Sequence, residues 1–395
     1  MQHQKQTKTK VIHSLKQADS LQWNLCANPQ QLSSHQKERF DPFVTFEFLH
    51  ALEESDSAVA ETGWLPHHLL ETDSLGNYLG VIPMYLKHHS MGEYVFDYGW
   101  ADAFNRAGGD YYPKLQIAIP FTPVTGRRIL LNSVTGDDEV ETRLINKTIS
   151  LLNKYQASSL HLTFVERDTW KKLGERGFLQ RMDQQFHWQN RDYESFQDFL
   201  ATLSSKKRRN ILRERKQALE NDIVIEHLTG NSITEGHWDI FFEFYQETGS
   251  RKWGRPYLNR AFFSLIGQTM AERILLIFCK RNGRYVAGAL NFIGSDTLFG
   301  RYWGCLEHHP CLHFEVCYYQ AIEYAIINRL SYVEAGAQGE HKLARGYTPN
   351  FTYSAHWIAN RNFREAVEHY LDSERTMVRD DQYFLMQHSP YRKGL

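Results

Sequence analysis

The chain lacks most of the features that would place it in a special class. Its five cysteines are an odd number spread over 395 residues, which favours reduced thiols in the cytosol over a disulfide framework. No apolar run approaches the ~18 residues that a membrane helix needs, so no integral membrane segment is expected. The first ten residues, MQHQKQTKTK, are polar and basic, and no apolar stretch of signal-peptide type follows. A flexible start over 1–10 and a cytoplasmic protein are expected. An excess of one charge is also missing. Lys+Arg is 45 and Asp+Glu is 46, a net charge of −1. That excludes a basic coat for non-specific nucleic-acid binding but not a local basic patch. No G-x-S-x-G elbow for a covalent nucleophile is found.

What remains is a globular profile: 42% hydrophobic, 14% aromatic and 23% charged, which excludes a mostly disordered chain. At roughly 150 residues per domain, the length predicts two or three domains. DPFVTFEFLHALEES (41–55) has Phe43, Phe46 and Leu49 at helical spacing, with Asp41 as cap and Pro42 in the first turn. HHLLETDSLGNYLGVIPMYLK (67–87) reads as two strands around Gly76-Asn77, and GEYVFDYGW (92–100) as a third. EVETRLINKTISLLNKY (139–155) is an amphipathic helix and SSLHLTFVE (158–166) a strand. The second half repeats this order. RILLIFCKRNGRYVAGALNFIG (273–294) is strand, turn, strand about Asn282-Gly283. TLFGRYWGC is a third strand, LHFEVCYYQAIEYAIINR (312–329) a long apolar helix and SYVEAGA a strand. Gly80 and Gly288 fall at similar places in the two copies. The boundary is expected near residue 190, giving units over 11–190 and 191–395. The second would open with a basic helical segment (191–221), broken around Ser204-Ser205, and end in a C-terminal helical extension.

The order strand–turn–strand–strand–helix–strand, met twice, is the skeleton of a GNAT-type acyltransferase. The fold class expected is therefore α/β with mixed sheets, in tandem duplicated GNAT-like domains. Leu173, Gly177 and Phe178 in WKKLGERGF, and the hairpin NGRYVAGALNF, match endings common in that superfamily. The segments PFTPVTGRR, RYWGCLEHHPCLHFEVCYYQAIEYAI and EAGAQGEHKLARGYTP, with TYSAHW after them, resemble the FemAB-like predicted N-acyltransferases of bacteria. These are relatives of the ligases that add amino acids to peptidoglycan precursors. LSSKKRRNILRERKQA resembles a basic helix of the Fem ligases themselves.

The resemblance implies transfer of an acyl or aminoacyl group to an amine, with acyl-CoA or aminoacyl-tRNA as co-substrate and no resident cofactor. The partners implied are a small-molecule or cell-wall-precursor acceptor and tRNA. No Arg/Gln-x-x-Gly-x-Gly phosphate loop precedes either long helix, which counts against a CoA donor. Direct attack needs a neutral amine, donors for the oxyanion, and two reactants held in line. Lys342 resembles the loop lysine that the Fem ligases place at the oxyanion, with the spacing to the following aromatic one residue longer, and Arg345 in the same loop suits a carboxylate or phosphate. A loop lysine is otherwise simply solvated. Glu315, on the apolar helix, is one candidate base, although a first-turn carboxylate also complements the helix dipole. His341 and Glu340 are alternative bases. Arg251 and Tyr257 lie in ETGSRKWGRPYLNRAFF (247–263), which resembles the Fem stretch that contacts the nucleotide-linked acceptor, and Tyr302 is also assigned to substrate binding. Arg127 and Arg128, in the Gly/Pro-rich loop, are candidates for an anion. Lys206, Lys207, Arg208, Arg209, Arg213, Arg215 and Lys216 crowd eleven positions; of these, Lys206 and Arg209 are assigned to substrate phosphates. Such a run is otherwise a solvated helix.

Two rival readings stand beside this one. A binding module would keep the shape and recognise a cell-wall precursor or an RNA without turnover. A zinc protein would use Cys305, His308, His309, Cys311, His313 and Cys317, which fall within thirteen residues. Their spacing is not that of a C-x-x-C pair, and buried thiols behave as small hydrophobes, so no metal is assigned.

Overall fold

The structure, a computed structural model, describes residues 7–29, 40–252, 256–336 and 339–392. Strands β1 (Lys8–Ile12), β2 (Leu65–Pro66), β3 (His68–Thr72), β4 (Tyr78–Ile82), β5 (Met84–Lys87), β6 (Lys114–Ile117), β7 (Leu130–Leu131), β8 (Ser159–Val165) and β9 (Leu179–Gln189) come first. With them come helices α1 (Ser20–Ala27), α2 (Phe46–Glu54), α3 (Tyr98–Arg106), α4 (Asp138–Tyr155) and α5 (Arg167–Glu175). Then follow α6 (Phe196–Thr202), α7 (Ser205–Ala218), β10 (Val224–Thr229), α8 (Glu235–Lys252), α9 (Arg260–Met270), β11 (Ile274–Arg281), β12 (Arg284–Ile293) and β13 (Thr297–Cys305). Next are α10 (Leu312–Phe314), a π turn (Glu315–Tyr319), α11 (Gln320–Ile327), β14 (Tyr332–Glu334), β15 (Thr348–Ile358) and α12 (Arg361–Gln387).

The chain divides into two units: Met1–Asp183 with Phe351–Arg379, and Gln184–Asn350 with Asp380–Leu395. The single cut expected near residue 190 is thus corrected. The first break falls seven residues earlier, and most of the expected C-terminal extension returns to the first unit. The reason lies in β15, whose residues Tyr353–Ile358 pair antiparallel with β8. Of the expected flexible start, residues 1–6 lie outside the described residues. Lys8–Ile12 is instead ordered by pairing with β3.

In the first unit β6 and β8 run parallel, joined through α4. The start of α4 is fixed by Asp137, whose side chain accepts from the Val140 N–H, with Asp138, Glu139 and Glu141 in the first turn. Its buried stripe, Val140, Leu144, Ile145, Leu151 and Leu152, packs with Leu115, Ile117, Leu160 and Leu162 of the sheet. Each such side chain contributes roughly 1.5–3 kcal/mol on burial. Leu173 and Phe178 join this core, and Gly177 takes the left-handed conformation (φ +86°) that closes α5. Asp41 caps only a 3₁₀ turn at Pro42–Val44, and the helix α2 starts on its own cap, Thr45.

The strand expected over 92–100 is not formed. Its aromatics alternate as in a strand, but Gly92 (φ +80°) and Tyr94 (φ +60°) leave the extended region. Glu93 and Asp97 then turn inward to Lys114, and α3 begins at Tyr98.

The second unit has the sheet order β10-β11-β12-β13-β14-β9. Asn282 (φ +51°) and Gly283 (φ +76°) make the tight turn of the β11–β12 hairpin. A Cβ on Gly288 would lie 2.4 Å from the Phe278 ring of the facing strand, so only glycine fits there. β13 and β14 are parallel over just three pairs, from Thr297↔Tyr332 to Phe299↔Glu334. β13 then runs on to Cys305 while the other strand stops. The chain between them, expected as one regular helix, is interrupted by the five-residue π turn, a rare feature often found at functional sites.

Candidate active site

β13 and β14 stop pairing after Phe299 and Glu334. In the chain that follows β14, a 3₁₀ turn spans Glu340–Arg345. Gly339 opens it at φ +119°, and a Cβ would sit 2.4 Å from the His341 ring. Lys342 is drawn fully inside at 1% exposure. Its Nζ donates to the Gly336 carbonyl at 2.8 Å. Burial lowers its pKa to about 8, against a smaller upward pull from Cys317. The solvated state considered for this lysine is therefore not the one adopted. His187, on β9, is held to about 4 by burial and then by the Lys342 charge, so it is neutral at pH 7. His341 is exposed, and its Nε2 lies 2.8 Å from the Tyr318 hydroxyl. The Tyr347 hydroxyl is buried and has no hydrogen-bond partner among the described residues.

Helix α7 fixes this loop and the π turn together. Ile211 and Ala218 bury its inner face, and the adjacent Glu214 and Arg215 point the same way. Arg215 grips both oxygens of Glu315, with Nε at 3.2 and 3.1 Å and Nη2 at 2.9 Å. It reaches Glu323 at 2.7 Å as well. Gln320 adds a bond of 2.7 Å to Glu315. Glu315 is 0% exposed, and burial drives its carboxyl above the ordinary value despite Arg215. Glu214 takes the Arg345 guanidinium at 2.9 and 3.2 Å and the Tyr319 hydroxyl. Arg345 also donates to the His341 carbonyl at 2.7 Å and lies 3.5 Å over the Phe314 ring. So Lys342, His341, Arg345 and Glu315 are brought together, with both Glu315 oxygens and three N–H groups of Arg345 already engaged.

Arg215→Ala would leave a carboxylate sealed from water with no cation beside it. A loss of roughly 3–5 kcal/mol is expected, read as a shift in the urea midpoint of this unit. Adding Glu315→Gln should restore most of it.

The remaining candidates are dispersed. The Arg251 and Glu340 side chains lie outside the described residues. Tyr257 is 40% exposed. Tyr302 is half-buried, edge-on to Tyr245 at 5.1 Å, with Arg301 against its ring. Lys206 and Arg209 are exposed on the outer face of α7. Arg127 and Arg128 belong to the first unit, where both donate to backbone carbonyls. Arg128, 1% exposed, donates to the carbonyls of Thr163, Arg127 and Val124 at 3.1, 3.0 and 2.6 Å. Arg127 reaches the Ala27 carbonyl at 2.5 Å. All three guanidinium nitrogens of Arg128 thus donate to backbone carbonyls.

Among the described residues, no three His, Cys, Asp or Glu side chains are placed to hold a metal ion. Sequence reasoning missed Glu214, His187 and Tyr318. For Glu214 a signal existed, since it lies three and four residues from the apolar Ile211 and Ala218 and so shares their face. His187 had none, because it falls on the far side of the expected boundary.

A profile of the FemAB-like family, described as peptidoglycan biosynthesis/recognition, matches residues 14–393. The chain belongs to the FemAB-like family. Among solved structures it is similar to FemX, at 12% identity and TM-score 0.53 over 91% of this chain and 100% of FemX. It is also similar to L-PGS from Bacillus licheniformis, at 10% identity and TM-score 0.49 over 87% and 99% of the two chains. A third likeness is to a tandem GNAT protein from the clavulanic acid biosynthesis pathway, at 9% identity and TM-score 0.43 over 90% and 99%. No curated protein matches. The FemX likeness shows the fold, and this FemAB-like chain is a mixed α/β protein of two compact units. No helix among the described residues is long and apolar enough to cross a membrane.

Proposed function

We propose that this FemAB-like protein moves an aminoacyl group from an RNA-borne ester to the amine of a cell-wall precursor by direct attack. The observation that carries the reading is the buried Lys342 ammonium, held on the Gly336 carbonyl just after β14. A cation held in a dry, preorganised site stabilises an oxyanion far more than it would in water. The amine nitrogen attacks the ester carbonyl and Lys342 holds the tetrahedral oxyanion. The ribose oxygen then leaves, taking up the proton that the amine gives away. The carboxylate of Glu315 is committed to Arg215 and Gln320, so the proton carrier assigned is His341 at the loop's exposed edge.

One feature favours this donor over acyl-CoA. On α7, Lys206, Arg209, Arg213 and Lys216 fall at i, i+3, i+7 and i+10 on the exposed side and form no ion pair among the described residues. That row spans about 15 Å, at 1.5 Å per residue, and suits a phosphodiester chain. Arg209→Ala with Arg213→Ala should weaken RNA binding. It should also make the slope of log affinity against log salt shallower by roughly one and a half to two, measurable by fluorescence anisotropy.

The deciding assay is single-turnover transfer with aminoacyl-tRNA and with acyl-CoA, each offered to a muropeptide amine. Product from the first donor alone supports the reading. Binding of both substrates without product would leave recognition as the function.

A further inference from the structure

The helix after β13 changes register at one place. The Glu315 N–H still donates to the Cys311 carbonyl four residues back, at 3.0 Å. The Gln320 N–H instead donates to the Glu315 carbonyl, five residues back, and so closes the π turn. The Gln320 side chain repeats that step. Its amide nitrogen donates to the Glu315 carboxylate at 2.7 Å, and its amide oxygen lies 3.0 Å from His227 Nε2 on β10. In an α-helix, side chains five residues apart point about 140° away from each other, at 3.6 residues per turn. The side-chain bond therefore belongs to the π register alone. Arg215 braces the same stretch from α7, holding Glu315 at the start of the turn and Glu323 beyond it.

Two consecutive tyrosines on this turn receive the loop that carries Lys342. The Tyr318 hydroxyl meets His341 Nε2 at 2.8 Å. The Tyr319 hydroxyl donates to Glu214, which holds Arg345 at 2.9 and 3.2 Å. The loop is thus docked on both sides of Lys342. A return to the α register would rotate the chain on one side of the turn by roughly 100°, one residue's share of a helical turn. That rotation would draw the tyrosines off their partners.

We propose that Gln320 is a positioning residue of the site. By tying itself to Glu315 across five residues it keeps the π turn, and the turn keeps Tyr318 on His341. Only the consequence for rate rests on the transferase reading, in which His341 carries the proton.

The test compares Gln320→Met with Tyr318→Phe in the full chain. Methionine keeps the length of the side chain and removes both amide bonds. The first readout needs no substrate: the Nε2 signal of His341 in protein labelled with ¹⁵N-histidine, assigned by its loss in His341→Gln. Tyr318→Phe takes away the hydroxyl and should shift that signal. Gln320→Met should shift it in the same direction, and the two together should shift it no further than Tyr318→Phe alone. Exchanging the pair, as Glu315→Gln with Gln320→Glu, rebuilds a bond between the same two positions and should return the signal toward its wild-type place. That exchange decides the matter if Gln320→Met fails to fold, and a shifted signal in it counts against the proposal. The second readout is single-turnover transfer, which Gln320→Met should slow by roughly 10²-fold, the effect of a misplacement of about 1 Å, with acceptor affinity unchanged. An unmoved signal in Gln320→Met, additive shifts in the combined variant, or a full transfer rate where the signal has moved overturns the proposal. A moved signal in Gln320→Met beside a wild type that transfers nothing would end the transferase reading and keep the positioning.

Discussion

Lys342→Met is expected to lower the single-turnover rate of acyl transfer by roughly 10²–10³, the usual effect of removing one oxyanion donor. Methionine keeps the length and apolar bulk of a side chain that is 1% exposed, so the loss should appear in rate with little change in substrate affinity or folding. The pH profile separates the roles open to this lysine. Burial holds its pKa at about 8, so it is charged below that value and neutral above it. As the oxyanion's cation it supports transfer at pH 7 and loses that support as pH rises through about 8. A lysine acting as base would give the opposite slope. Lys342→Arg keeps a charge at all pH values and should move the falling limb to higher pH, at some cost in geometry. A rate that rises through pH 8 in the wild type and is unaffected by Lys342→Met would remove this residue from the mechanism.

Lys114→Met is expected to cost the first unit roughly 3–5 kcal/mol, a large share of the 5–15 kcal/mol that holds a typical domain. Lys114 is fully buried on β6 and donates to Ser90 at 2.7 Å, Glu93 at 2.7 Å and Asp97 at 2.5 Å. Burial alone would lower its pKa, and the two carboxylates more than reverse that. Burial likewise presses Asp97 upward, but Lys114 keeps it below its ordinary value. Burial raises Glu93 to about 7 despite Lys114. Lys87 cannot take over, because burial has already brought its own pKa down to about 7.

With Lys114 gone, both carboxyls favour the protonated form in the folded state. The deficit should therefore shrink as pH falls toward 5 and grow as it rises toward 8. Hydrogen exchange of the β6 and β8 amides isolates this unit from the other. Adding Asp97→Asn and Glu93→Gln should recover part of the loss. Full stability of the single variant at pH 8 would show that the network contributes nothing net.

Parts of the fold were legible because they rest on local chemistry. Asn282-Gly283 demands a tight hairpin turn wherever it stands between apolar runs, and the 3.6-residue stripe of α4 admits one buried face. Gly177 followed by Phe178 marks a helix end for the same reason. The misreadings have a common physical source. Tyr94, Phe96, Tyr98 and Trp100 alternate like a strand, but the inward pull of Lys114 on Glu93 and Asp97 acts across about twenty residues and outweighs that pattern. Arg128 looks like an anion ligand until the carbonyls of Val124 and Thr163 are found around it. In the basic run, Arg215 reads as one more solvated cation, because its partner Glu315 is a hundred residues away.

The sequence by itself determined the β11–β12 hairpin, the buried stripe of α4 and the family, since turn residues, periodicity and motif segments are short-range properties. Only the tertiary structure decided which charges are buried and what they face. Lys342, Glu315 and Lys114 owe their states to exclusion from water and to partners brought from other segments. Desolvation and ion pairing depend on distances in space, and no local pattern of residues encodes them.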